Sequence, residues 1–404
     1  MKVAILANGL PHYYTKQLEL MQKKGVDLVV IVPTSRSQAI GKNVYEVDCQ
    51  FNFKVIRTKE YLTWYKKPFF KHFFSIIKSE KPDIVIVGWP YWMGIVLNPM
   101  LLFWLIRTST KLVFKEIPFQ IAPFNQPIRY YYDYPIYNED EVYENPHKIN
   151  NKLRYTLLAL LRKYAYRCMD AVLVYRHDVF ELYSSYGVSF NKIFVTYNSP
   201  DTNDIFSIKA DLEKLEISVV PYSLIHVGRL VRWKRVHLLI DVFAELVKKY
   251  PQAKLYIIGD GPEKNNLINQ AKSLGVLGQI EFCGGIYNYF ELGKKFLEAQ
   301  IYVLAGMGGL SINEAMAFGK PIVCSICDGT EKFLVRDGVN GLYFKDNDKN
   351  DLYQKIDYLF SNPDVIHRMG RESERIIREE VNINKVVDRY IYAFQQIVKN
   401  RELV

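Results

Sequence analysis

Short runs rich in β-branched residues alternate with longer amphipathic stretches along the whole chain, and the alternation starts twice. A parallel pair of strands needs a crossover long enough to hold a helix, so this rhythm implies parallel sheets covered by helices, an α/β fold. In the first half the expected strands are 3–7, 27–32, 83–87, 111–114, 171–175 and 193–196, with helices over 14–24 and 153–167. In the second half they are 223–227, 254–258, 280–283, 301–304 and 321–324. The 404 residues exceed what one hydrophobic core usually organises, which agrees with two domains. The stretch Asn198-Ser199-Pro200-Asp201-Thr202-Asn203-Asp204, with the charged residues that follow to about Ser218, has turn chemistry and no helical or strand period, and reads as a linker. The expected domains are residues 1–200 and 201–385, closed by a segment 386–404 whose apolar period predicts a helix over 386–398.

Other features exclude whole classes. Five cysteines without regular spacing cannot be a disulfide framework and suit a reducing compartment, so the expected location is cytoplasmic. The apolar stretch Val3 to Leu6 stops at Asn8-Gly9, too short for the core of a signal peptide. The longest apolar run, 93–106, is broken by Asn98-Pro99 and falls short of the roughly 20 residues that cross a bilayer. Charge is uneven: residues 1–200 hold 26 Lys and Arg against 16 Asp and Glu, while residues 201–404 hold 27 of each. The excess implies an anionic partner for the first half, a nucleic acid or an acidic membrane surface. No recognisable nucleic-acid module accompanies it, so none is expected to bind.

In open parallel sheets ligands bind beyond the carboxyl ends of the strands, where helix N-termini offer unpaired amides to anions. After 223–227 comes Gly228-Arg229-Leu230-Val231-Arg232-Trp233-Lys234-Arg235. Four cations in one loop make either a site for a highly charged anion such as a diphosphate or a solvated basic turn. After 301–304 comes Ala305-Gly306-Met307-Gly308-Gly309-Leu310-Ser311-Ile312-Asn313-Glu314, entering a helix. Glycines there let backbone amides approach a phosphate, and Glu314 is either a ribose ligand or the far half of a Ser311-x-x-Glu314 capping box.

Gly228-Arg229-Leu230 with Lys234 five residues after the arginine, then Gly259-Asp260-Gly261-Pro262, then Gly309 to Ala317 before Gly319-Lys320-Pro321, closely resembles the family-4 retaining glycosyltransferases of the GT-B fold. The likeness continues through Asp328-Gly329-Thr330-Glu331 and Asp337-Gly338-Val339-Asn340-Gly341. In the first half it rests on the opening strand, on Val174 to Leu182 and on Tyr197 to Thr202. The resemblance implies two Rossmann-like domains facing a cleft and a C-terminal helix crossing back to the first. It also implies a nucleotide diphosphate sugar donor, UDP- or GDP-linked, retention at the anomeric carbon, and no required metal or other cofactor. By the same resemblance Arg229 and Lys234 hold the diphosphate, Glu314 the ribose, and Gly309, Leu310 and Ser311 the phosphates. Gly259 and the loop from Gly284 to Tyr287 flank the nucleotide. One position departs. The family's paired glutamates require Glu at 306, where this chain has Gly306, and the missing carboxylate is the one expected at the transferred sugar.

On the acceptor side, His12 follows the first strand in Asn8-Gly9-Leu10-Pro11-His12, and Glu116 follows 111–114 where relatives commonly carry a histidine; both are catalytic candidates. Residues 51–82 hold eight Lys and Arg against Glu60 and Glu80, interleaved with nine aromatics. That composition suits a membrane interface, or equally a solvated helix with an aromatic core face. The segment 118–150 carries six tyrosines between Tyr130 and Tyr143 and fits either a ligand-stacking loop or plain surface packing. Cys324-Ser325-Ile326-Cys327 has no second pair, and Asp346-Asn347-Asp348 reads as a turn rather than a metal motif. No Gly-x-Gly-x-x-Gly follows a strand, which disfavours a dinucleotide oxidoreductase. The expected function is sugar transfer to a lipid-linked or growing glycan in surface polysaccharide assembly, at the inner face of the cytoplasmic membrane. The rival is a non-catalytic GT-B protein that binds a nucleotide or partner.

Overall fold

The computed structural model describes residues 1–35, 50–118, 121–128, 149–326 and 331–399. They divide into two compact units, Met1–Tyr197 with Asn384–Val404, and Asn198–Ile383. The tyrosine-rich stretch 129–148 and the Asp328-Gly329-Thr330 part of the family motif lie outside the described residues, as do Cys49 and Cys327.

The first unit is built on β1 (Lys2–Leu6), β2 (Asp27–Pro33), β3 (Lys54–Thr58), β6 (Ile84–Val87), β7 (Lys111–Lys115), β8 (Ala171–Val174) and β9 (Ile193–Val195). These form a parallel sheet in the order β3-β2-β1-β6-β7-β8-β9. Its central strands are buried on both faces, which is why they read as unbroken apolar runs. A small antiparallel pair, β4 (Glu60–Leu62) and β5 (Pro68–Phe70), projects beside it. The helices are α1 (His12–Lys23), α2 (Phe73–Glu80), α3 (Trp92–Val96), α4 (Pro99–Arg107), α5 (Ile149–Cys168) and α6 (Phe180–Ser185). Crossovers from β3 to β6, β6 to β7 and β7 to β8 run the same way across the sheet, so right-handedness places α2, α3, α4 and α5 on one face and α1 on the other.

The second unit opens with α7 (Thr202–Glu213), then β10 (Ser223–Val227), α8 (Val236–Lys249), β11 (Lys254–Ile258), α9 (Lys264–Ser273), β12 (Ile280–Gly284) and α10 (Tyr289–Glu298). It continues with β13 (Ile301–Leu304), α11 (Ser311–Ala317), β14 (Ile322–Cys324), α12 (Glu331–Leu334), β15 (Gly341–Tyr343), α13 (Lys349–Phe360) and α14 (Pro363–Glu379). Its sheet is parallel in the order β12-β11-β10-β13-β14-β15, the doubly wound pattern in which the strand order reverses between β10 and β13. The chain's last described helix, α15 (Ile383–Lys399), returns to the first unit. There Lys24 pairs with Asp388 at 2.5 Å, and the Lys115 ammonium lies 3.7 Å from the Tyr14 ring and 5.4 Å from that of Tyr390.

Two expectations are corrected. Residues 202–213 are not linker but helix α7, started by Asp201, whose carboxylate accepts from the Asp204 amide at 3.3 Å. Leu212 and Ile205 are fully buried under it, a spacing of seven that the surrounding charges hid. Residues 51–82 are not the solvated helix that was one reading of this window, but β3, the β4–β5 hairpin and α2. Phe69, Phe70 and Phe73 enter the core, while Trp64 at the hairpin tip is 86% exposed.

Candidate functional site

The strand-order reversal leaves a crevice at the carboxyl edge of β10 and β13, because the loops after these strands turn away from each other. Paired register between the two runs only through Leu224–Ile301 and Ile225–Tyr302. Four loops gather around this edge. The Gly228 amide donates to Ile258 O at 2.9 Å, the Leu230 amide to Asp260 O at 3.0 Å, and the Glu263 amide to Leu230 O at 3.1 Å, locking the loop after β10 onto the loop after β11. A Cβ on Gly259 would stand 1.9 Å from Gly228 O, so this contact requires glycine. The Gly259 amide in turn donates to Gly284 O at 2.7 Å, and Asp260 accepts from the Gly285 amide at 2.6 Å. Lys264, 2.6 Å from Asp260, holds that carboxyl below its usual range.

The fourth loop, 305–310, is fastened to the first. The Met307 amide donates to Trp233 O at 3.0 Å, and the Lys234 ammonium donates to Met307 O at 2.8 Å and to Gly308 O. Lys234 and the glycine loop therefore converge in space. Arg229 is partly buried, and its Nε lies away from solvent with no hydrogen-bond partner among the described residues. The other two cations of the loop are placed differently: Arg235 pairs with Asp346, and Arg232 is exposed. Of the four cations of this loop, Arg232 is exposed and Arg235 is engaged by Asp346, whereas Lys234 is turned onto the glycine loop and Arg229 has its Nε buried.

Gly306 is enclosed by the same fastening. A Cβ there would lie 2.2 Å from Trp233 O and 2.7 to 2.8 Å from the Lys234 carbonyl group. The glutamate that the family pattern asks for has no room unless backbone moves.

Glu314 does not complete a capping box. α11 begins without a side-chain cap, and the Ser311 hydroxyl is 2.8 Å from the Tyr302 hydroxyl. Burial pushes the Glu314 carboxyl up to about 7, with a hydrogen bond from Tyr289 acting in the opposite sense. One further side chain was not anticipated. His226, fully buried on β10, has Nδ1 3.1 Å from Val303 O, while its Nε2 has no partner among the described residues. Burial first, then the Lys234 charge, press its imidazolium down to about 4, so the ring is neutral at neutral pH. A histidine inside the apolar run Leu224-Ile225-His226-Val227 was the signal available in the sequence.

In the first unit, His12 is the first residue of α1, half-buried, its ring edge-on to Tyr13. Glu116 is enclosed at the end of β7. Tyr166 and Tyr183 donate to its Oε2, the latter at 3.3 Å, and Arg162 Nε is 3.9 Å from Oε1. Burial raises its pKa in spite of the Arg162 charge. Enclosed this way, it has the surroundings of a structural acid rather than of one that meets a substrate.

Comparison with known proteins gives this geometry its context. The family described as glycosyl transferases group 1 matches residues 207–376. An uncharacterised glycosyltransferase of Haemophilus influenzae is 32% identical over 200 residues, covering 47% of this chain and 54% of that protein. The alpha-monoglucosyldiacylglycerol synthase of Acholeplasma laidlawii is 28% identical over 183 residues, 44% of each. These matches span about half the length of the curated relatives. Among solved structures, Anabaena HepE in complex with UDP superposes with a TM-score of 0.66 at 17% identity over the whole of both chains. Sucrose-phosphate synthase of Thermosynechococcus elongatus gives 0.71 at 15% identity over 99% of this chain and 100% of that one. The fold is GT-B, two Rossmann-like domains.

Proposed function

We propose that this chain, whose residues 207–376 match the group 1 glycosyltransferases and whose fold is GT-B, transfers a sugar from a nucleotide diphosphate sugar, UDP- or GDP-linked, with retention at the anomeric carbon. The observation that carries this reading is the convergence of Lys234 on the 306–309 loop, together with the buried Nε of Arg229 on the same strand-to-helix loop. The departing nucleoside diphosphate gains negative charge as the glycosidic bond breaks. A guanidinium and an ammonium held in place beforehand stabilise that charge without a metal ion. Arg229 supplies a planar fork for two phosphate oxygens, Lys234 a point charge fixed by two carbonyls, and Glu314 an acceptor for ribose hydroxyls.

The acceptor is a lipid-linked or growing glycan of a surface polysaccharide, reached from the inner face of an anionic membrane. The basic excess of residues 1–200 supports that setting. None of the described helices is long and apolar enough to cross a membrane. Gly306 favours a second reading, a GT-B protein that binds nucleotide without turnover, because the carboxylate expected at the sugar is absent and sterically barred. Nucleotide release from UDP- and GDP-sugars in the presence of lipid acceptors separates the two: binding without release above background favours the second. Arg229→Ala and Lys234→Ala should each weaken UDP or GDP binding by about 1.5–3 kcal/mol, measured by calorimetry. Unchanged affinity in both removes the donor site from this crevice.

A further inference from the structure

On the outer surface of the first unit, α5 presents Ile149, Leu153, Leu157, Leu160 and Tyr164, each between 45% and 80% exposed. At about 100° per residue these five fall within an arc of about 80°, one apolar stripe along four turns. The opposite side of the same helix buries Tyr155, Ala159, Ala165 and Tyr166, so α5 is apolar on two faces, one buried in the unit and one exposed. α3 packs against both α4 and α5. α4, on the same face of the sheet, exposes Met100, Phe103 and Ile106 at 65–77%.

Charge decides the occupant. Along its 20 residues α5 carries Lys152, Arg154, Lys163 and Arg167 outside the core, with Arg162 buried beside Glu116, and no acid, and α4 carries Arg107 and no acid. Around the helix axis Lys152 and Lys163 border the stripe on one side and Arg154 on the other. A second copy docking through this face would set cations against cations. A bilayer with anionic headgroups accepts both components at once, apolar side chains below the headgroups and cations among them.

We propose that the α4–α5 face is a membrane-seating surface for an anionic bilayer, with the stripe Leu153, Leu157 and Leu160 entering the headgroup boundary and the flanking cations meeting lipid phosphates. The inference rests on the membrane setting proposed above and assigns it to a surface separate from the lysine-rich hairpin.

The test floats the full chain with vesicles of phosphatidylglycerol and phosphatidylcholine, and with phosphatidylcholine alone. The wild type should float with the mixed vesicles only. Leu153→Glu/Leu157→Glu should lower its partition by about tenfold or more, since the apolar area entering the boundary is lost. Circular dichroism and UDP or GDP binding should be unchanged in that variant, which shows that the fold and the second unit are intact; Leu157→Ser/Leu160→Ser, a milder pair, serves if the glutamates disturb folding. Flotation of both stripe variants like wild type, with loss on Lys66→Gln/Lys67→Gln/Lys71→Gln, overturns the inference and leaves the membrane setting standing. A wild type that floats with neither vesicle overturns both. A dimer in sedimentation that the stripe variants dissociate, with flotation unchanged, also overturns it and assigns the face to self-association.

Discussion

Gly306 and Glu314 lie on one loop-and-helix segment, and each has a measurable consequence. Placing a side chain at 306 forces the Trp233–Lys234 backbone aside, so Gly306→Glu should destabilise the protein by about 1–3 kcal/mol in denaturant unfolding and should not improve sugar-donor binding. Tighter donor binding in this variant would show that the loop yields easily. Desolvation pushes the carboxyl of the half-buried Glu314 up to about 7, above the usual carboxylate range. Ionised, a carboxyl is the stronger acceptor for hydroxyls, so under the proposed ribose contact the affinity for a UDP- or GDP-sugar should fall as pH drops from 8 to 6. Glu314→Gln should flatten that profile and lower affinity at pH 8. In the ligand-free protein the sign is opposite: the folded state holds this proton more tightly than the unfolded one, so the contribution to stability is present at low pH and is lost as pH rises toward 7.

Among elements, caps and turns carry the local instructions. Asp346-Asn347-Asp348 behaves as a turn: Asn347 has φ of 61°, and Asp348 caps α13, accepting from the Asn350 and Asp351 amides at 3.1 Å each. Asp348→Ala should cost about 1 kcal/mol in thermal or denaturant unfolding, with nucleotide binding unaffected. Apart from the edge strands β3 and β15, the strands of the two large sheets were legible as apolar runs between turn residues, which double burial makes continuous in the central ones. The α7 helix was not, because its exposed face is charged and its buried positions, Ile205 and Leu212, stand seven residues apart with Lys209 also buried between them. Short strands such as β4, β5 and β15, three residues each, carry no period long enough to read. The placing of Arg229, Lys234 and Glu314 just after strands of the second sheet was legible from the strand-to-helix rhythm. His226 and the steric bar at Gly306 were not, since the first is a packing relation between strands and the second a backbone approach between loops.

At the scale of the molecule, the path of the chain matters most. It leaves the first unit after Tyr197, completes the second by Ile383, and only then supplies α15 to the first. Val386, Val387, Tyr390, Ala393 and Phe394 of that helix are nearly inaccessible to solvent. Ending the chain at Ile383 should therefore expose first-unit surface and speed proteolysis of residues 1–197, while fragments of residues 198–383 persist; equal resistance of the two would contradict it. During synthesis, the N-terminal half must wait on the ribosome for its final piece until the second unit has already emerged. The order of translation is thus not the order in which the two halves can mature, and a nascent chain stalled before α15 leaves the earlier-made half as the one in need of protection.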